Sequence, residues 1–121
     1  MKKLTDRFIE LIIKEINKFY TCYYEEAPNS TSFPYLVMTS LNLTPLDSGY
    51  LGIFDLEIYI NELSTESVEI IIDNLRDKLD GYCYRESNLG FHIGFDNQLI
   101  VKSNEQDLAI RRITFQARIF K

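Results

Sequence analysis

The sequence predicts an α+β fold, in which a mostly antiparallel β-sheet carries two α-helices packed on one face. Two segments repeat apolar residues at helical spacing, and two others alternate apolar and polar residues with the period of a strand. Helices and strands follow one another as helix, strands, helix, strands, which favours this layered arrangement over repeated βαβ units. The chain has 121 residues, so we predict a single α+β domain over residues 1–121.

The two predicted helices cover residues 4–19 and 64–80. Ser64 or Thr65 can cap the second helix, and Gly81 follows it as a left-handed stop. Apolar residues three and four positions apart give each helix one buried face. The residues on these faces are Leu4, Phe8, Leu11, Ile12, Ile16 and Phe19, and then Val68, Ile71, Ile72, Leu75 and Leu79.

Residues 50–61 and 108–120 are the clearest strands, because apolar and polar residues alternate in both. Residues 20–24, 33–41, 82–86 and 98–102 are predicted as shorter strands. Residues 25–32 and 42–49 are rich in turn formers and are predicted as loops. Residues 87–97 give conflicting signals, since apolar residues alternate there but glycines interrupt them.

Composition excludes several classes of function. The net charge is −5, from 13 basic and 18 acidic residues, which argues against a dedicated nucleic-acid binder and against docking on an anionic membrane. We identify no signal peptide and no apolar run long enough to span a bilayer. The two cysteines, Cys22 and Cys83, are too far apart for a zinc or redox motif and are expected to be thiols in a reducing cytosol.

No set of residues forms a recognisable catalytic centre. His92 is the only histidine, and a lone histidine is more often a surface or hydrogen-bonded residue than a ligand or base. Asp55 and Glu57 share one strand face, where a solvated or ion-paired role is favoured over acid–base chemistry. Nucleophile-elbow and phosphate-loop motifs are absent from the sequence. We therefore predict no catalytic, cofactor-binding or metal-binding residues, no cofactor and no enzymatic activity.

Aromatic and basic residues suggest an interaction surface instead. The chain has eight tyrosines, which suit either a protein interface or the amphipathic edge of a sheet. Arg111, Arg112 and Arg118 are interpreted as a basic patch on the last strand. Arg112 and Arg118 can pair with Asp55 and Glu57 in a cross-strand ladder, or they can reach across a subunit boundary.

Because they lie beside loops or on polar strand faces, five residues are predicted to contribute to an interface: Tyr23, Glu25, Tyr35, Arg111 and Arg112.

Four segments in this order resemble the small neck and tail-completion proteins of long-tailed bacteriophages, the tail-terminator and head–tail joining group. The first helix leads into YYEEAP, followed by FPYLVM, by LEIYIN running into the second helix, and by DLAIRRITFQARIF at the end. The segments are residues 23–28, 33–38, 56–61 and 107–120, and the resemblance does not extend to residues 87–98.

This resemblance implies a structural function without cofactor or catalysis. Members of the group form a ring, commonly of six copies, that stops polymerisation of the tail tube and presents a surface to the head connector. The implied partners are further copies of the chain, the tail-tube protein and the head-connector protein. The implied location is the host cytoplasm during assembly and then the neck or tail of the virion. A monomeric adaptor that binds a peptide at an exposed sheet edge remains the alternative.

Overall fold

A computed structural model describes residues 2–28, 31–61, 67–101 and 108–120. The chain begins with helix α1 (Lys2–Ile16), the short strand β1 (Cys22–Tyr24) and the long strands β2 (Tyr35–Leu46) and β3 (Gly49–Asn61). Helix α2 (Val68–Leu79) follows, and then strands β4 (Cys83–Glu86), β5 (Leu89–Val101) and β6 (Leu108–Phe120). The prediction of an α+β fold is confirmed.

The six strands form one sheet in the order β1-β2-β3-β6-β5-β4. Strand β1 runs parallel to β2, whereas the other four neighbouring pairs are antiparallel. The sheet is therefore mixed rather than purely antiparallel, with one parallel pair in the mostly antiparallel sheet that was predicted. Strand β1 can be parallel to its neighbour because a loop, rather than a tight hairpin, separates it from β2.

Both helices cover the same face of the sheet. Phe8 of α1 packs edge-on against Phe54 of β3 and Phe91 of β5, with ring centroids 5.9 and 5.0 Å apart. The apolar side of α2 joins the same buried cluster, which includes Leu75 and Leu79. The predicted inward residues of β3 are all buried: Phe54, Leu56, Ile58 and Ile60. Alternation in the sequence thus decides which face of the sheet becomes the core.

The helix ends differ from those predicted. Helix α1 ends at Ile16, and Phe19 is partly exposed beyond it. The side chain of Ser67 accepts a hydrogen bond from the backbone N–H of Ile70 and caps α2, whereas Ser64 and Thr65 lie outside the described residues. Gly81 has the predicted left-handed conformation, with φ of 86°.

Two strands are longer than predicted. The predicted loop at 42–49 is wrong, because β2 continues to Leu46 and only Asp47 and Ser48 separate it from β3. Pro45 is accommodated because β2 borders β1 only at Leu36–Met38, so the proline lies where β2 is an edge strand. Residues 89–101 form one continuous strand, in which an irregularity between Phe95 and Asn97 breaks the alternation.

Candidate interaction surface

The side of the sheet opposite the helices is called the outer face here. It carries every second residue of the long strands, for example Glu57 and Tyr59 of β3 and Arg112 and Thr114 of β6. Neither helix contributes to it, because both belong to the core cluster on the other side. This face is where the polar half of each alternating strand meets its cross-strand neighbours.

A tyrosine cluster, consisting of Tyr23, Tyr35 and Tyr59, crosses the outer face over β1, β2 and β3. The rings of Tyr35 and Tyr59 are stacked with centroids 4.9 Å apart, and Tyr23 meets Tyr35 edge-on at 6.4 Å. Phe33 extends the cluster at 5.3 Å from Tyr35. Val37, which lies between Tyr23 and Glu57 in the sheet register, is buried although it is outside the core cluster. The aromatic rings therefore shield part of the outer face from water.

Glu57 is the charged centre of this shielded region. Its residue exposure is only 8%, and its two carboxylate oxygens accept hydrogen bonds from the Tyr59 hydroxyl at 2.9 Å and from Nη2 of Arg112 at 2.8 Å. Burial and the hydrogen bond to Glu57 raise the pKa of Tyr59 to about 12. The hydrogen bond with Glu57 also raises the pKa of Arg112. These hydrogen bonds hold the side chains of Tyr59, Glu57 and Arg112 in one arrangement, in which Glu57 is the ion-pair partner of Arg112.

Asp55 forms the neighbouring polar link of the outer face. Its carboxylate accepts hydrogen bonds from the hydroxyls of Thr114 at 2.6 Å and Ser40 at 3.2 Å, so it joins β3 to both adjacent strands. The favoured interpretation of Asp55 and Glu57 as an ion-paired strand face is confirmed for Glu57.

The three arginines of β6 do not form one basic patch. Arg111 pairs in register with the buried Ile58, so it lies on the helix side, where its Nη1 is 2.8 Å from the carboxylate of Glu69 on α2. Arg112 and Arg118 lie on the outer face, with Arg118 in register with Leu51 and His92. Strand alternation separates adjacent residues, which is why Arg111 and Arg112 point in opposite directions.

The predicted interface residues are distributed over two regions. Tyr23, Glu25 and Tyr35 lie together at the end of the sheet formed by β1 and β2. Glu25 is exposed, adopts φ of 70° and donates its backbone N–H to the carbonyl of Met38. Arg111 and Arg112 lie in the middle of the sheet and are already engaged in intramolecular ion pairs. An interface role for these five residues stays a prediction.

More of the tyrosines are partly buried than the sequence suggested. Four of them pack against the core rather than remaining on the surface: Tyr20, Tyr50, Tyr82 and Tyr84. Their rings supply apolar area, while hydroxyls such as those of Tyr82 and Tyr84 reach the carboxylates of Glu15 and Glu86. Tyr24, in contrast, is exposed at the outer edge of β1.

The described side chains that could bind a metal ion or act as nucleophiles do not lie together in one group. His92 is exposed on the outer face, in register with Cys83 and Arg118. Within the ranges that the structure describes, His, Cys, Asp and Glu side chains form no group of three that could hold a metal ion. Cys83 is exposed, whereas burial raises the pKa of the Cys22 thiol to about 12. None of the described helices is long and apolar enough to cross a membrane.

The two edges of the sheet are the least covered part of the backbone. Strand β1 pairs only with Leu36–Met38, and β4 pairs only with Leu89–His92. In the described part of the chain, no strand lies beside residues 40–46 of β2 or residues 96–101 of β5. Ile100 and Leu99, on the second of these segments, are 70% and 45% exposed. The sequence predicted exposed edges in general but gave no signal for which half of each strand is uncovered.

Comparison with known proteins identifies a shared fold. No protein-family model matches the chain, and no curated protein matches it either. Among solved structures, a chain of the structure titled "Virion of native gene transfer agent (GTA) particle" aligns with a TM-score of 0.67. The alignment covers 81% of this chain and 77% of that chain at 14% sequence identity. This level of similarity establishes that the two chains have a common fold.

Proposed function

We propose that this chain is a structural subunit of a phage-like virion, and more specifically a tail terminator that forms a ring at the end of the tail tube. The observation that carries the proposal is the fold shared with a chain of a gene transfer agent virion over about four-fifths of both chains. The four segments that resemble the tail-terminator and head–tail joining group support the same assignment. The proposed role requires neither a cofactor nor a catalytic residue.

The surface of the protein is suited to such a role. A ring of identical subunits needs two different patches on each copy, so that the contact can be repeated around an axis. The β1/β2 end and the β4/β5 end of this sheet are different surfaces, and both carry uncovered backbone and exposed apolar side chains. The net charge of −5 is compatible with a ring through which DNA passes without binding, because like charges repel.

Co-expression with the tail-tube protein of the same genome tests the proposal. We expect the chain to co-purify with the tube and negative-stain images to show tubes of limited length with density at one end. Tubes of the same length with and without the chain, together with no co-purification, would refute the terminator role. A tube protein from an unrelated phage serves as the control for non-specific adhesion.

A monomeric adaptor is the second candidate, and the uncovered edge at residues 96–101 of β5 is the observation that favours it. An extended peptide from another protein can add a strand at such an edge. Solution mass across a concentration series separates the two candidates. The ring function predicts an oligomer of defined size, either alone or with the tube, whereas the adaptor remains a monomer that binds peptides.

A further inference from the structure

The outline of the sheet follows from how the strands are aligned. Residues paired on adjacent strands form rows that cross the sheet at right angles to the strands. One row consists of Thr44, Leu51, Arg118, His92 and Cys83, and it runs from β2 to β4 along the outer face. A second row consists of Tyr23, Val37, Glu57, Arg112 and Leu99, and it runs from β1 to β5.

These two rows show that the edges of the sheet are complementary. The end of the sheet near the turn at Asp47 and Ser48 is called the upper end. At the upper end, β4 extends the sheet by one strand beyond β5. The rows that contain β4 end, on the opposite edge, at residues of β2 that have no further strand beside them in the described part of the chain. In the rows further from this turn, β1 extends the sheet by one strand beyond β2. The rows that contain β1 end, on the opposite edge, at residues 98–100 of β5, which have no further strand beside them in the described part of the chain. Each projection is therefore level with a recess on the opposite edge of the same sheet.

We propose that copies of this chain associate side by side, with the β4/β5 edge of one copy against the β1/β2 edge of the next. In this arrangement β1 of one copy fills the recess beside residues 98–100 of its neighbour, and β4 fills the upper part of the recess of β2, beside residues 44–46. The inference rests on the proposed ring function and assigns the two surfaces that form the ring. The occupant of each edge is a second copy because the opposite edge of the same chain has the matching outline.

Exposed apolar residues lie where this contact requires them. Ile100 and Leu99 line the recess of β5, and Tyr24, which is 39% exposed, lies on the projecting β1. Leu46 is exposed at the upper end of β2. Burial of such side chains between two copies supplies the hydrophobic contact of an interface.

The backbone of β1 indicates that side chains, rather than a continuous hydrogen-bonded ladder, make the lower contact. The side chain of Asn17 accepts a hydrogen bond from the N–H of Cys22 and donates one to its carbonyl, both at 3.1 Å. The carbonyl of Tyr24 accepts the N–H of Glu26 at 2.9 Å. These bonds occupy backbone groups of β1, so packing of Tyr24 against Ile100, which lies on the same helix side of the sheet, carries the contact.

Disulfide cross-linking tests the alignment of the two edges. Thr44 and Cys83 end the same row, so a Thr44→Cys variant brings an introduced thiol beside the native Cys83 of the next copy. Neighbouring strands are about 4.8 Å apart, which is within the Cα separation of a disulfide. Asn42→Cys is the matched control, because it places the thiol on the same face but about 7 Å further along the strand.

We expect mild oxidation to convert the Thr44→Cys variant into a ladder of linked dimers, trimers and larger species on a non-reducing gel. The Asn42→Cys variant and a Thr44→Cys/Cys83→Ser double variant should give no such ladder. Equal cross-linking at positions 42 and 44 would overturn the proposed alignment, because it would show that the thiols meet by random collision.

Solution mass tests the apolar contact independently. Ile100→Lys should weaken self-association at least tenfold, because it places a charge in the buried contact. Ile70→Lys, at a half-exposed isoleucine on α2, is the control that should leave association unchanged. Both variants should retain the melting temperature of the wild type.

The outcomes separate this inference from the proposed function. A ring that forms equally well with Ile100→Lys would refute the edge contact but leave the terminator role intact. A wild-type chain that remains a monomer at every concentration and gives no ladder would also refute the inference. Co-expression with the tube would then still decide the proposed function.

Discussion

Replacing Arg112 with methionine removes the guanidinium that neutralises Glu57 while keeping a flexible apolar side chain in its place. The side chains of Arg112 and Glu57 are 37% and 11% exposed, so this ion pair is intermediate between a surface and a buried one. Breaking a buried pair costs about 3–5 kcal/mol, and exposed pairs contribute about 0–1 kcal/mol. We therefore expect Arg112→Met to lower the free energy of unfolding by about 2 kcal/mol.

Urea denaturation and thermal melting measure this loss. A decrease of about 2 kcal/mol in a chain of this size corresponds to a fall of about 8 °C in melting temperature. A double-mutant cycle with Glu57→Gln isolates the pair, and we expect the double variant to be more stable than the sum of the single changes predicts, by about 1 kcal/mol or more. Additive effects, or an Arg112→Met variant within about 0.5 kcal/mol of the wild type, would refute the reasoning.

The same geometry makes Arg112→Glu a probe of the fold as well as of assembly. The change removes an arginine that is predicted from the sequence to contribute to an interface. Across the strands, however, the new carboxylate would lie opposite Glu57, whose oxygens already accept hydrogen bonds from Tyr59 and Arg112. Like charges directly opposite one another are destabilising, so we expect a lower melting temperature as well.

Three further changes probe the core, the thiols and the outer face. Ile58→Asp should lower the free energy of unfolding by about 4 kcal/mol, because it buries an unpaired carboxylate. Ile53→Asp on the outer face is the control and should cost under about 1 kcal/mol. Equal losses would contradict the assigned faces. Cys83 should react with a thiol reagent in the native state and Cys22 only on unfolding; rapid labelling of both in the native protein would contradict the burial of Cys22. The pKa of Tyr59 is raised to about 12, from about 10 in the unfolded chain. The contribution of the protonated hydroxyl to the free energy of unfolding is therefore complete below pH 10 and is lost as pH rises towards 12. Tyr59→Phe should reduce this loss of stability at alkaline pH, measured by urea titrations. An unchanged pH profile would contradict the role of the Tyr59 hydroxyl.

Strands with a simple alternating pattern were predicted well from the sequence. In residues 54–61 of β3 and 112–119 of β6, buried apolar residues alternate with polar residues of the outer face, so the pattern fixes both the strand and its core face. The cross-strand pairing of Arg112 with Glu57 follows from that alternation once the two strands are neighbours. Local sequence therefore carries the information for these elements.

The elements predicted less well depend on contacts that are distant in sequence. In β5, Gly90 takes an outer-face position between two neighbouring strands, where a Cβ would lie 2.5 Å from the ring of Phe120 and 2.8 Å from the guanidinium of Arg85. The irregularity between Phe95 and Asn97 then changes which residues face the core. In β2, turn-forming residues continue the strand because β3 pairs with them as far as Leu46. No local pattern records these cross-strand constraints.

The alignment of the two edges is likewise a property of the assembled sheet, and it bears on whether association closes. A contact between two different surfaces gives a closed ring when each step is a pure rotation, and a helical filament when each step also rises along the axis. Cys83 is level with Thr44, and Leu99 is level with Tyr23, so the proposed side-by-side contact would join the copies without a shift along the strands. In the proposed assembly, strands that run parallel to the assembly axis would give this contact no rise, which is the geometry of a closed ring rather than of a helical filament.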